Sequence, residues 1–308
     1  MWVAGDWVDY ELLGAGDGEK LERWGPYILR RPDPQAVWPA EKTMSSQKWQ
    51  TADAVYHRSK SGGGSWEYKR ELPPIWEINY KGLRFGIKPM QFKHTGVFPE
   101  QAVNWDWIIN KLNNHRDQRG QVSQSGQNSQ SSRRADIRVL SLFAYTGAAT
   151  IAAASAGALV CHVDAARGIV AMAKDNAARS LVPGDRIRYI VDDVMKFVRR
   201  ELRRGTVYDA VIMDPPAYGR GPGGELWKAE THLYEIVELC AGLLEAPPLF
   251  FIINSYAAGI PASSVGNILK FAIGGRFGGA VECAEMGIRA ADGNFVLPCG
   301  CCARWERG

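Results

Sequence analysis

From residue 137 onward, apolar and polar positions alternate in blocks of regular length. Five short runs, near 137–143, 158–164, 186–191, 208–214 and 249–254, are dominated by Val, Ile, Leu and other apolar residues. Strands buried on both faces of a parallel sheet read this way. Longer stretches with helical spacing separate them, near 147–156, 166–180, 194–204, 230–244 and 261–273. Two more strands, near 279–286 and 294–304, come next with no helix between them, and Asp292-Gly293 supplies a turn. The pattern predicts an α/β fold: a seven-stranded, mostly parallel sheet that ends in a β-hairpin.

The first part of the chain has a different texture. Residues 1–75 show short alternating runs such as YILRR, broken by Pro and Gly, and predict a small β-rich domain. Tryptophans stand at 2, 7, 24, 38, 49, 66 and 76. They suit a small core, and stacking on bases is the alternative. Residues 76–135 form a connection. WEINYKGLRFGIKPM (76–90) reads as two strands joined at Lys81-Gly82, and SKSGGGS (59–65) as a turn or loop. Residues 100–114 have a helical period with Val103, Trp107, Ile108 and Leu112 on one face. HRDQRGQVSQSGQNSQSSRR (115–134) is a low-complexity stretch that predicts a surface loop. The third domain is 136–308.

Composition narrows the class. With 46% hydrophobic and 23% charged residues among 308, the chain is expected to be a soluble globule. No apolar run approaches the ~20 residues of a membrane helix, and MWVAGDWVDYELL has no leader signature. Six cysteines at 161, 240, 283, 299, 301 and 302 fall mostly in apolar segments, which favours a reduced, cytoplasmic protein. The net charge of +4 is unevenly spread: net −2 over 1–80, +6 over 81–135 and zero over 136–308. The basic segment can steer a polyanion, or it is a solvated linker.

The candidate chemistry lies at the strand ends. VLSLFAYTGAAT passes from a strand through Phe143, Ala144, Tyr145, Thr146 and Gly147 into a helix, and HVD ends the next strand at Asp164. A turn, a helix N-terminus and an acid after the second strand make a nucleotide-type site, with Asp164 as ribose acceptor or as helix cap. A dinucleotide site needs the three glycines of G-x-G-x-x-G. Gly147 alone admits a sugar and an amino acid but cradles a pyrophosphate poorly, which disfavours a dehydrogenase. S-adenosylmethionine fits that description, with backbone N–H groups of the turn holding its carboxylate. Asp193 comes after the third strand as an acceptor for adenine or as a helix cap. Asp214-Pro215-Pro216, after YDAVIM, is a rigid turn that lacks proline donors and faces carbonyls and an acid toward a substrate. Asp214 borders the cofactor as well. In the loop AYGRGPGGELWK, Tyr218 or Trp227 can stack on a base while Arg220 or Lys228 binds phosphate. C-G-C-C at 299–302 offers three thiols, but alternation along a strand divides them between faces. A buried strand, not a metal site, is expected.

These motifs resemble class I S-adenosylmethionine-dependent methyltransferases, and among them the group with a D-P-P-x-[FY] motif that includes large-subunit ribosomal RNA cytosine-C5 methyltransferases. The likeness is carried by HTGVFPEQ (94–101), VLSLFAYTGAAT (139–150), HVD (162–164), VDDVMKFV (191–198), DPPAYGRG (214–221) and LPCGCCARW (297–305). It implies a Rossmann-like methyltransferase sheet, S-adenosyl-L-methionine as cofactor, an RNA substrate, and a place for Phe98 and Gln101 against the cofactor. Catalytic roles are expected for Asp214, Pro215, Pro216 and Tyr218. The ribosomal C5 enzymes use a cysteine just after the fifth strand, because carbon 5 of a pyrimidine becomes nucleophilic only after a thiolate adds at carbon 6. This chain has Asn254-Ser255-Tyr256 there. Methylation of a nitrogen is more compatible with that. A small-molecule or protein methyltransferase, and an RNA-binding factor that keeps the fold without turnover, are the alternatives.

Overall fold

The computed structural model describes residues 1–59, 63–90, 92–124, 136–221 and 223–307. Contacts divide the chain into two compact units, Met1–Val103 with Met286–Cys299, and Asn104–Glu285 with Gly300–Gly308.

The first unit is built on strands. β1 (Trp2–Ala4) precedes a five-stranded sheet of β2 (Tyr10–Gly16), β3 (Glu19–Trp24), β4 (Tyr27–Pro32), β5 (Ala54–Arg58) and β6 (Gly64–Tyr68), in that order. A single-turn helix, α1 (Ser46–Trp49), lies before β5. β5 and β6 pair antiparallel. Of the SKSGGGS stretch expected to turn between them, residues 60–62 lie outside the described residues. β7 (Trp76–Tyr80) and β8 (Leu83–Ile87) pair antiparallel around Lys81-Gly82, as the sequence predicts. Leu12, Leu21, Trp24, Leu29 and Phe85 are fully buried. The ring of Trp24 meets that of Tyr10 edge-on at 4.7 Å, and tryptophans 24, 49 and 76 are core residues.

Polar residues also occupy this interior. Glu22 is fully buried and accepts from Arg31 Nε at 2.7 Å, Arg31 Nη2 at 2.9 Å and Tyr10 Oη at 2.8 Å. Lys20 Nζ lies 3.3 Å from Glu22 and 3.2 Å from Asp33. Burial alone would raise the Glu22 carboxyl. The charges of Arg31 and Lys20 and the donated hydrogen bonds outweigh it and hold the group down to about 2.

The second unit holds the α/β fold. Its first helix, α2 (Ala102–Gln124), leads to β9 (Arg138–Leu142), α3 (Ala148–Ser155), β10 (Leu159–Asp164), α4 (Arg167–Arg179), β11 (Ile187–Val191) and α5 (Val194–Arg203). Then come β12 (Ala210–Met213), β13 (Tyr218–Arg220), β14 (Leu226–Lys228), α6 (Ala229–Ala241), β15 (Phe250–Ser255), α7 (Ala262–Leu269), β16 (Ala280–Arg289) and β17 (Val296–Glu306). The sheet runs β11-β10-β9-β12-β15-β17-β16. The five strands expected to be parallel are parallel in register, and β17 runs antiparallel to β15. The far end of β16, Met286–Ile288, belongs to the first unit and carries β1 as an added parallel strand. Strand order reverses between β9 and β12, the position at which open α/β sheets bind ligands.

The core on one face of this sheet joins Leu142, Val163, Phe197, Met213, Ile236, Val237, Phe251 and Ile253. α2 departs from the expectation in two ways. It continues through residue 124, into the stretch expected to be a loop, because Asn, His, Arg, Asp and Gln are adequate helix formers and no proline interrupts them. The remainder of that stretch, 125–134, lies outside the described residues. The buried positions of α2 include Asn104, Trp105, Ile108 and Leu112, whereas Val103 and Trp107 are only partly buried. Among the described residues, no helix is long and apolar enough to cross a membrane.

Candidate active site

β9 runs out into Phe143-Ala144-Tyr145-Thr146-Gly147, and Phe143, Tyr145 and Gly147 all lie in the left-handed region, with φ of 51°, 49° and 85°. For Phe143 and Tyr145 this is strained backbone, sustained only where the surroundings fix it. Hydrogen bonds do so here. Ala144 N–H donates to Val163 O at 3.1 Å, Gly147 N–H to Ala144 O at 3.0 Å, and Tyr145 N–H to Asp164 Oδ2 at 2.9 Å. The buried Asn176 amide donates to Thr146 O at 3.0 Å. Gly147 caps α3, and a Cβ on it would lie 2.9 Å from Ala173 Cβ. Both conformation and space therefore demand glycine.

Asp164 closes β10. Its other oxygen, Oδ1, accepts from Ala166 N–H at 2.9 Å. The helix cap proper is Ala166, so Asp164 steers the chain into α4 from outside the cap. Burial raises the Asp164 carboxyl above its ordinary value, against the pull of the N–H groups of Ala166, Tyr145 and Ala165. A carboxylate oxygen has two lone pairs, so Asp164 can bind these N–H groups and still accept from a ribose hydroxyl. Behind the turn, His162 is fully buried, with Nδ1 3.0 Å from Thr150 Oγ1, which donates to Ser141 Oγ at 3.1 Å. Burial pushes His162 down to about 4, so it is neutral at physiological pH.

Asp193 is the N-cap of α5, with Oδ1 accepting from Lys196 N–H at 2.9 Å. Its Oδ2 faces Gly221, where an added Cβ would lie 3.0 Å away. The neighbouring Asp192 binds Arg200 Nη1 at 2.6 Å.

Asp214 stands directly after β12 and donates its N–H to Leu142 O at 3.2 Å, which ties the Asp-Pro-Pro turn to the first βα turn. The next loop folds into the hairpin of β13 and β14, where the sequence shows only a glycine-rich loop. Tyr218 lies opposite Lys228, Gly219 opposite Trp227, and Arg220 opposite Leu226. Strand alternation puts Tyr218, Arg220, Leu226 and Lys228 on one face, and all four are exposed. Trp227 faces the other way. It is 8% exposed, its ring lies 4.7 Å from Phe143 and 5.6 Å from His232, and Nε1 donates to Pro216 O at 2.6 Å. The exposed aromatic of this hairpin is Tyr218, and Trp227 braces the turn from beneath.

Phe98 and Gln101 belong to the first unit. Phe98 packs its ring 5.3 Å from that of His94, and Gln101 is buried in a short turn, Pro99–Gln101.

A polar cluster that sequence reasoning did not assemble lies at the other side of β12. Asn104 Nδ2 donates to Asn254 Oδ1 at 2.9 Å, and Asn104 Oδ1 accepts from Arg304 Nε at 3.0 Å and Nη2 at 2.5 Å. All three residues are at most 6% exposed. The available signal is an asparagine at the end of the otherwise apolar FFIIN. The thiols of Cys301 and Cys302 are pushed up to about 11 and about 12, in each case chiefly by burial.

Comparisons with known proteins agree with this fold. A family model described as S-adenosylmethionine-dependent methyltransferase matches residues 122–224. The crystal structure of the SAM-dependent methyltransferase from Agrobacterium tumefaciens is 34% identical, with a TM-score of 0.88, covering 100% of this chain and 93% of that one. Ribosomal RNA large subunit methyltransferase K of Neisseria meningitidis serogroup B is 24% identical over 210 residues, 66% of this chain and 53% of that protein. Ribosomal RNA large subunit methyltransferase I of Cronobacter sakazakii is 32% identical over 84 residues, 27% of this chain and 21% of that protein. The chain thus spans from about a fifth to about half of the length of these curated relatives.

Proposed function

Because the chain belongs to the S-adenosylmethionine-dependent methyltransferases, we propose that it methylates RNA, with large-subunit ribosomal RNA as the substrate class, and that it falls in the D-P-P-x-[FY] group. The observation that carries the RNA reading is the likeness to a ribosomal RNA methyltransferase over 66% of the chain. The exposed face of the hairpin supports it, since Tyr218 can stack on a base while Arg220 and Lys228 meet phosphates. When bound, S-adenosylmethionine supplies a methyl group on a positively charged sulfur, an electrophile for a nucleophile held in line.

The chain's own residues then have these tasks. The Phe143–Gly147 turn receives the amino-acid end of the cofactor. Asp164 accepts from the ribose hydroxyls, Asp193 Oδ2 from the adenine amino group, and Phe98 and Gln101 also serve the cofactor. Asp214, Pro215 and Pro216 hold the accepting group, with Tyr218 over it. Trp227 keeps Pro216 in place. Catalysis here is mainly positioning in a site shielded from water. A nitrogen acceptor is favoured over carbon 5, because Ser255 is a weak nucleophile and the thiols of Cys301 and Cys302 are protonated at neutral pH. We also take 1–75 as an N-terminal β-rich module, 76–135 as a connector and 136–308 as the catalytic domain, working in the cytoplasm.

The test is transfer of radiolabelled methyl from S-adenosylmethionine to unmodified large-subunit ribosomal RNA, with binding measured across salt. Transfer together with binding that weakens steeply as salt rises is expected. Cofactor binding with no transfer to RNA would overturn the substrate reading.

A further inference from the structure

Asn254 is out of character at the end of a buried parallel strand: a neutral amide, 3% exposed, after the four apolar residues of FFII. Register places it. Ile253 pairs with Met213, so Asn254 is level with Asp214 on the adjacent strand. Both therefore stand at the carboxyl ends of parallel strands, on the sheet face opposite Met213 and Ile253.

Its polarity is fixed from a distance. A guanidinium only donates, so Arg304 Nε and Nη2 decide which end of the Asn104 amide they face: it must be Oδ1, at 3.0 and 2.5 Å. The thiol of Cys302 lies 3.5 Å from the same oxygen. Asn104 must then offer Nδ2 to Asn254, whose Oδ1 accepts it at 2.9 Å. That leaves the Asn254 NH2 group pointing away from the cluster. Among the described residues nothing accepts from it, and its nitrogen is not sealed from solvent. Donor and acceptor chemistry alone dictates the orientation.

We infer that Asn254 presents a polarity-locked N–H donor beside Asp214, which holds a carbonyl oxygen or unprotonated ring nitrogen of the base being methylated. Asn104 and Arg304 are positioning residues that keep the donor outward. The inference rests on the RNA reading and adds a specificity residue to it. An amide donor beside an acidic acceptor recognises a base edge on which an acceptor and a donor are neighbours.

Three variants test it in the ribosomal RNA transfer assay, with calorimetric titration of S-adenosylmethionine on the same preparations. Asn254→Ala removes the donor. Asn104→Asp still accepts from Arg304 but no longer donates, so Asn254 turns over and aims its oxygen at the substrate. Asn254→Asp donates only when protonated. Expected are cofactor affinity within about twofold of wild type for all three, and kcat/KM down at least about tenfold for Asn254→Ala and Asn104→Asp. The activity of Asn254→Asp relative to wild type should rise as pH is lowered, a response that a merely structural role does not give. Wild-type kcat/KM in both Asn254→Ala and Asn104→Asp overturns the inference and leaves the RNA reading intact. No transfer to RNA by a cofactor-binding wild type removes that reading and the inference with it.

Discussion

Tyr145 donates its backbone N–H to the Oδ2 of Asp164 at 2.9 Å, across the gap between the two strand ends that form the candidate cofactor site. The bond holds Tyr145 at a positive φ and fixes the carboxylate in one act. Asp164 thus builds the turn in addition to the ribose role proposed for it. Asp164→Asn keeps the shape but has one acceptor oxygen for the two N–H groups of Tyr145 and Ala166. We expect S-adenosylmethionine affinity to fall by at least about tenfold, with a stability loss of about 1–3 kcal/mol for the unsatisfied donor. Calorimetry and urea unfolding measure the two effects. Unchanged affinity would sink the assignment of Asp164 to the ribose.

Gly147→Ala adds a methyl group at φ 85°, 2.9 Å from Ala173 Cβ. Strain of about 1–3 kcal/mol is expected, and the turn must shift to relieve it. Thermal unfolding should show a lower midpoint, and cofactor binding should weaken in parallel. The companion Gly168→Ala, in α4 with nothing within 4 Å of its added Cβ, should leave cofactor affinity unchanged and raise the midpoint slightly.

The buried ion network of the first unit gives a prediction with a defined partner. Removing Arg31 leaves Glu22 charged and fully buried, with Lys20 as its remaining charged partner and Tyr10 as its remaining hydroxyl donor. Arg31→Met should cost about 3–5 kcal/mol, and the double replacement of Glu22 and Arg31 by apolar residues should recover much of it. Urea denaturation of the single and double variants measures this. A double variant as unstable as the single would mean that packing, not the stranded charge, sets the cost.

Two histidines predict a pH window, one fully buried and one partly so. Burial lowers His162 to about 4, and burial with the charges of Arg31, Lys93 and Lys20 lowers His94 to about 4. Below the ordinary value of about 6.5 the unfolded chain takes up protons that the folded chain refuses. Stability is therefore full above about pH 6.5 and is lost as pH falls toward 4. Each histidine contributes at most about 3 kcal/mol to this loss. Denaturation midpoints at pH 7 and pH 5 should show the fall, and His162→Gln should reduce its slope. An unchanged slope in that variant would exclude His162 as a source. Glu22 adds a further loss below about pH 4.5, where its carboxyl protonates in the unfolded chain first.

Trp227 offers a test of the hairpin. Trp227→Phe keeps a ring for Phe143 and His232 but loses the hydrogen bond to Pro216 O. Transfer activity should fall several-fold while S-adenosylmethionine affinity holds. An equal loss of both would place Trp227 in the cofactor site instead.

Four features were legible in the chain alone: the alternation of strands and helices from residue 137, the closing hairpin, the single demanding glycine and the acid that ends β10. Each of these is written in a local pattern: strands buried on both faces must be apolar, a left-handed tight turn selects glycine, and the last residue of a strand stands at the rim of the sheet. Which distant residues meet is settled by the fold. Asn104 and Arg304 are 200 positions apart in sequence. Arg304 lies on β17, beside the β15 strand that carries Asn254, and the cluster forms there. Trp227 and Tyr218 look alike as aromatic residues of one glycine-rich loop. A hairpin register that no local pattern specifies turns one inward and leaves the other exposed. The Glu22 network is equally silent in sequence, since nothing in YELLGAGDGEKLERW announces which acid the fold will bury. Burial and pairing are properties of strand order and register, and those emerge when the sheets assemble.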